Sequence, residues 1–228
     1  MRLIVVVEGQ TEEAFVKDVL VPHLAPQNVF ASATVVGKIV SQRRGHRRRG
    51  GGYFLTWLRD LRRLLGGDTS SNLRVTTLFD LYGLPRDFPG IDAHGKDADT
   101  NHRCDQLQTS LATELNDHRF IPYIQRHEFE ALVIASLPSL RLLLDDEDDL
   151  AGVQQLEKEL SSHPPEDIND GEDTAPSKRL CERIPGYNKV LHGPLAIAGT
   201  GLSAIRQRCP RFNTWVSQLE ALGSETTL

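Results

Sequence analysis

Leu3 to Val7 is an unbroken apolar run of five residues, four of them β-branched, cut off by Glu8-Gly9. A run without alternation is the pattern of a strand buried on both faces, which requires a parallel sheet with helices packed on each side. The pattern recurs. Val29 to Val36 reads as a second strand, Leu73 to Phe79 as a third running into Asp80, and Phe120 to Gln125 as a fourth followed by His127-Glu128-Phe129-Glu130. Helical spacing falls between them. Phe15, Val16, Val19 and Leu20 share one face behind a predicted Thr11 cap. Phe54, Trp57, Leu58, Leu61 and Leu65 share another, a polar helix spans about 100–117, and an apolar one spans Ala131 to Leu137. Strands alternating with helices predict an α/β fold with a mainly parallel sheet flanked by helices over residues 1–140. Residues 141–228 predict a helical C-terminal extension packing on it, entered through the acidic stretch Asp145 to Asp149, a linker or helix start.

Charge is distributed unevenly. Residues 38–63 hold nine basic side chains against Asp60, a window of +8 in a chain of net charge −5, so the remainder is −13. Arg43, Arg44, Arg47, Arg48 and Arg49 lie in a Gly-rich stretch, Ser41 to Gly52, without apolar periodicity, which predicts a mobile basic loop. Arg59, Arg62 and Arg63 fall on the outer side of the following helix. Such a surface suits nucleic acid, held by phosphate neutralisation without sequence choice; an acidic protein partner is the alternative. Tyr53 and Trp57 are close enough to stack on bases, although Trp57 lies on the apolar side and reads as core.

Several chemistries are excluded by spacing. Ala131 stands where His-Glu-x-x-His needs its second histidine, and Gly50-Gly51-Gly52 lacks the Lys-Ser/Thr of a phosphate-binding loop. Three cysteines without a Cys-x-x-Cys pair support neither a disulfide framework nor a zinc ribbon. The opening apolar run is too short for a signal-peptide core or a membrane span, so a cytoplasmic protein with no membrane association is expected.

The acids remain. In open α/β sheets ligands bind off the carboxyl ends of the strands, and Glu8, Asp80 and Glu128 all stand there. Carboxylates from separate strand ends suit a hard divalent cation in phosphodiester chemistry. Alternatively, each caps a helix or pairs with an arginine.

Val7-Glu8-Gly9-Gln10-Thr11-Glu12-Glu13-Ala14-Phe15, Asp80-Leu81-Tyr82-Gly83-Leu84-Pro85, His127-Glu128-Phe129-Glu130-Ala131-Leu132 and Ala175-Pro176-Ser177-Lys178-Arg179-Leu180 together resemble the DUF4276 family nearly end to end. That family resembles the Toprim-type domains of topoisomerases, primases and OLD-family nucleases, often encoded beside ATPases in bacterial defence neighbourhoods. The resemblance implies a Toprim-like nuclease or related phosphoryl-transfer enzyme acting on nucleic acid, dependent on Mg²⁺ or Mn²⁺ and working as the effector of a partner ATPase. A homo-oligomer is compatible with it. By this resemblance Glu8 matches the acid after the first strand, as metal ligand or general acid or base. Asp80 matches the first acid of the Toprim Asp-x-Asp pair, whose second position here is Tyr82. Glu8, Asp80 and Glu128 would hold the metal, with Glu12 and Glu130 behind them or completing the coordination. Lys178 would offset transition-state charge, with Arg179 beside it on the nucleic acid. Tyr82 keeps two rivals open: a non-catalytic Toprim-like module that binds nucleic acid or a nucleotide, and a regulatory subunit docking on an ATPase.

Overall fold

The computed structural model describes residues 1–37, 39–43, 46–49, 52–92, 99–168 and 174–224, with the backbone alone at 39–43 and 46–49. Strand β1 (Arg2–Val7) leads into helix α1 (Gln10–Phe15), which continues through a π-helical stretch, Val16–Leu20, into α2 (Val21–Leu24). The helix starts one residue ahead of Thr11, with Gly9 at the N-cap, so Thr11 lies buried inside the first turn and does not cap it. Strand β2 (Phe30–Val35) follows. A short antiparallel ribbon comes next, β3 (Ile39–Arg43) and β4 (His46–Arg49). This corrects the predicted loop: backbone pairing between two arginine-rich strands needs no apolar periodicity, which is why pattern reading missed it.

Helix α3 (Phe54–Gly67) and strand β5 (Leu73–Asp80) are followed by a 3₁₀ turn, Leu81–Gly83, and by α4 (Thr100–Leu115). The fourth predicted strand is split into β6 (Phe120–Ile121) and β7 (Ile124–Gln125), both parallel to β5. Pro122 lies at the break, where its missing N–H removes a ladder donor. Then come α5 (Glu130–Ile134), α6 (Leu137–Arg141), α7 (Glu147–Leu160), α8 (Pro176–Arg183), α9 (Lys189–Thr200), α10 (Leu202–Arg208) and α11 (Pro210–Ala221). The acidic stretch is a helix start: Asp146 accepts from Asp148 N at 2.9 Å, and Glu147, Asp148 and Asp149 face the positive end of the α7 dipole.

The sheet order is β2-β1-β5-β6, with every pairing parallel. From β1 the chain goes to β2 on one side and, later, to β5 on the other, so chain direction switches between β1 and β5. At such a point the carboxyl ends leave a crevice. Each face of the sheet carries a core. On one, Trp57, Leu58, Leu61 and Leu65 of α3 pack with Cys104, Leu107 and Leu111 of α4 against Ile4, Val6, Val75 and Phe79. On the other, Leu3, Val5 and Val7 share a single cluster with Phe15, Phe129, Leu132, Leu156, Ile197, Phe212 and Trp215. Trp215 also donates to Thr76 Oγ1 on β5 at 2.9 Å and stacks on Tyr123, centroids 4.6 Å apart. No helix among the described residues is long and apolar enough to cross a membrane.

Candidate active site

The crevice between β1 and β5 is acidic. Glu8 leaves the end of β1, Glu12 projects from the first turn of α1, Asp80 is the last residue of β5, and Glu130 opens α5 after β7. Backbone bonds tie these pieces together. Asp80 N donates to Glu8 Oε1 at 2.7 Å, and Phe129 N donates to Asp80 Oδ1 at 2.8 Å. The turn after β5 approaches Glu8 so closely that a Cβ on Gly83 would overlap Glu8 Oε2.

Burial governs the electrostatics. It pushes Glu8 up to about 8, with Glu12 adding to the rise while the Asp80 N–H and Lys189 oppose it. It raises Asp80 well above the usual carboxylate range, helped by Glu12, Glu8 and Glu130. Glu12 and Glu130 are raised for the same first reason, and Lys189 pulls both back. Glu130 is fully buried, its Oε1 lies 2.8 Å from Lys189 Nζ, and its Oε2 has no hydrogen-bond partner among the described residues. Burial alone lowers the Lys189 ammonium, but Glu130, Asp80 and Glu12 overcome this and raise it. Among the described residues, four carboxylates therefore face the Lys189 ammonium in a desolvated crevice. They cannot all ionise without further positive charge.

Lys189 escaped the sequence reading. Its only sequence signal is a single basic residue opening an otherwise uncharged helix behind Asn188, which caps it by accepting from Leu191 N at 3.1 Å. Glu128 points to the next element: its Oε2 accepts from Ser177 N at 2.8 Å, at the start of α8, and its charge raises Glu130. Lys178 is exposed on α8, and Arg179 Nε donates to Thr174 O at 2.8 Å. Among the described residues no three Asp, Glu, His or Cys side chains are arranged to grip one metal ion directly.

Tyr82, in the position of the second Toprim acid, binds a histidine. Its hydroxyl lies 3.0 Å from His127 Nδ1, and its N–H donates to His127 O at 3.2 Å. His127 is buried, has φ of 63°, and is lowered to about 4, by burial first and Arg126 second. A left-handed histidine is uncommon, and this one stands in the link between β7 and α5.

The basic surface has two parts. Arg59, Arg62 and Arg63 are exposed on α3, with Arg62 also reaching Glu114 Oε1 at 3.1 Å. Arg43, Arg47, Arg48 and Arg49 lie on the ribbon, where only the backbone is described, and Arg44 lies outside the described residues. The ribbon follows directly from the carboxyl end of β2, the end of the sheet that carries the acids.

The chain is similar in structure to the C-terminal region of the Burkholderia pseudomallei OLD protein, at 14% identity and a TM-score of 0.46, over 96% of this chain and 98% of that one. The C-terminal region of the Xanthomonas campestris pv. campestris OLD protein is similar at 15% identity and a TM-score of 0.42, over 95% and 96%. No curated protein matches the chain. The pattern of the domain of unknown function DUF4276 matches residues 7–220, and the chain belongs to that family.

Proposed function

We propose that this chain is a Toprim-like, Mg²⁺- or Mn²⁺-dependent phosphodiesterase acting on nucleic acid, the effector of a partner ATPase in a defence-type system. The observation that carries the reading is the gathering of Glu8, Glu12, Asp80 and Glu130 around Lys189 at the switch point of the sheet. A hard cation suits this donor set. The groups are all carboxylates, desolvation and mutual repulsion oppose their all being anions in one crevice, and Glu130 Oε2 lacks a donor among the described residues. Glu8 and Asp80 would hold the ion, with Glu12 and Glu130 completing its coordination; Glu128, expected from the sequence as a ligand, instead accepts from Ser177 N at the start of α8 and acts on the site through its charge on Glu130. When bound, the ion would supply Lewis acidity at a phosphate oxygen.

The chain's own residues account for the rest. Lys189 Nζ, held by Glu130, offers positive charge at the crevice where charge builds on a cleaved phosphate. Lys178 and Arg179 on α8 serve the flanking phosphates. The arginines of α3 and the ribbon hold the strand by counterion release, so its binding should weaken steeply with salt.

Calorimetric titration of Mg²⁺ or Mn²⁺ into wild type, Glu8→Gln and Asp80→Asn, with cleavage of single- and double-stranded DNA and RNA on the same samples, tests the reading. Binding and cleavage should disappear together in both variants. Full cleavage by both variants would overturn it. A second reading, a non-catalytic Toprim-like binding module, is favoured by Tyr82, which offers a phenol where the Toprim pair has its second acid. It predicts salt-sensitive nucleic-acid binding that a chelator leaves unchanged.

A further inference from the structure

Two aromatic side chains follow the arginine ribbon in the sequence, and the fold separates them. Trp57 is fully buried, its ring centroid 4.6 Å from that of Phe79. Tyr53 is 66% exposed. Helix capping does not account for a tyrosine here: Tyr53 is the N-cap of α3, a position that favours a short polar side chain, and its own side chain makes no cap bond. Asp87 pairs the first N–H of the helix instead, accepting from Phe54 N at 2.9 Å, and so ties the head of α3 to the loop that leaves the carboxyl end of β5. Gly52, with φ of 109°, turns the chain from the ribbon into this helix.

The outer side of α3 continues from Tyr53. Leu55 is 72% exposed, and the exposed Arg59 and Arg63 follow it at intervals of one turn, about 6 Å along the axis, with Arg62 beside them. The first turn carries no acid. Together with the ribbon before it, this side belongs to the window of +8 in a chain of net charge −5. Charge and ring together select the occupant. The carboxylates of an acidic protein would answer the arginines and leave the ring unused. A duplex would answer the arginines too, but its bases are stacked on one another. An unpaired strand answers both, with phosphates on the arginines and a base face on the tyrosine, the combination by which single-strand grooves hold nucleic acid without sequence choice.

Resting on the nucleic-acid reading above, we infer that α3 is a single-strand platform: an unpaired base stacks on Tyr53 beside Leu55, and Arg59 and Arg63 hold the phosphates that follow. The arginines bind either form of nucleic acid. Tyr53 supplies the preference for the unpaired one, so the favoured substrate is a single strand or a duplex with a frayed end.

The test uses the full chain in EDTA, which stops ion-dependent cleavage. Anisotropy follows the binding of a fluorescent oligothymidylate and of a blunt hairpin duplex over a range of salt concentrations. Wild type should bind the single strand more tightly. Tyr53→Ala should lose about tenfold in single-strand affinity and keep its duplex affinity, while Tyr53→Phe, which retains the ring, should match wild type. Arg59→Ala/Arg63→Ala should weaken both probes and reduce the slope of log affinity against log salt on the single strand by about 1.4, the value for two phosphates. Circular dichroism establishes that each variant is folded, as expected for changes at three exposed positions. Single-strand affinity that is unchanged in Tyr53→Ala, or that falls no more than duplex affinity, would overturn the inference and leave the nucleic-acid reading in place. So would an arginine variant that weakens neither probe. Polyglutamate that displaces the oligothymidylate as well as unlabelled DNA does would overturn it in favour of an acidic protein. Failure of both probes to bind wild type at any salt concentration would instead remove the nucleic-acid reading itself, and this inference with it.

Discussion

At the scale of single residues, the crevice depends on close approaches that no substitution tolerates without consequence. Gly83 is the clearest. Its missing side chain leaves the space occupied by Glu8 Oε2, while Asp80 N, three residues earlier, holds the other oxygen of the same carboxylate. Gly83→Ala should therefore displace Glu8 with the core intact, since the added methyl meets a movable side chain and not backbone. Divalent-ion affinity is expected to fall at least tenfold by calorimetry, with a change in melting temperature of only a few degrees, about 1 kcal/mol or less. Wild-type ion binding in Gly83→Ala would show that Glu8 is not a ligand. Tyr82 and His127 work at the same scale. Their two bonds fasten the turn after β5 to the segment before α5, and so set Asp80 against Glu130.

At the scale of elements, buried carboxylates serve as helix caps, which is why acids in this sequence do not all belong to the crevice. Glu166 is buried, and its two oxygens accept from Arg211 N and Phe212 N, both at 2.9 Å, at the start of α11. Burial raises its pKa while those two N–H groups pull it back. The helix it caps carries Phe212 and Trp215 into the sheet-side core. Glu166→Ala would leave two helix N–H groups unpaired in a buried setting, a cost of about 2 kcal/mol or more. Urea unfolding should show this as a lower midpoint at unchanged slope, with ion binding retained in the folded protein. A loss below 0.5 kcal/mol would mean that water replaces the cap. Asp149, accepting from Gly186 N at 2.8 Å, ties α7 to the loop before α9 in the same way.

At the scale of the whole molecule, the crevice makes stability depend on pH. Glu8 has a folded-state pKa of about 8 against 4.5 for the free group. The folded chain therefore holds more protons than the unfolded chain between these values, and stability falls as pH rises through that window. His127 has the opposite sign. Lowered from 6.5 to about 4, it favours the folded state as pH rises toward 6.5 and adds nothing beyond. The melting temperature of ion-free protein should accordingly decline between pH 6.5 and 8.5, and Glu8→Gln should flatten the decline. Mg²⁺ should restore the loss at pH 8 by binding only the folded form. A wild-type melting temperature that climbs over the same interval would show that the acids are not buried together.

Much of this architecture is determined by local sequence. The unbroken run Leu3 to Val7 and the β-rich run Leu73 to Phe79, each stopped by a carboxylate, specify buried parallel strands and place Glu8 and Asp80 at their ends, because strand burial and strand termination are both short-range properties. Helical spacing likewise placed Trp57 in the core, where it is fully buried. Other features were invisible to pattern. The arginine ribbon pairs through its backbone, and the split of β6 from β7 depends on which strand they meet. Only the tertiary structure decided which acids share a crevice and which cap helices: Glu12 and Glu130 join Glu8 and Asp80, while Glu128 and Glu166 bind backbone N–H groups of α8 and α11. It also decided that Lys189, 181 residues beyond Glu8 in the chain, supplies the crevice's ammonium. Charge pairing across such separations is fixed by how helices pack on a sheet, and a linear sequence without that packing contains no distance between them.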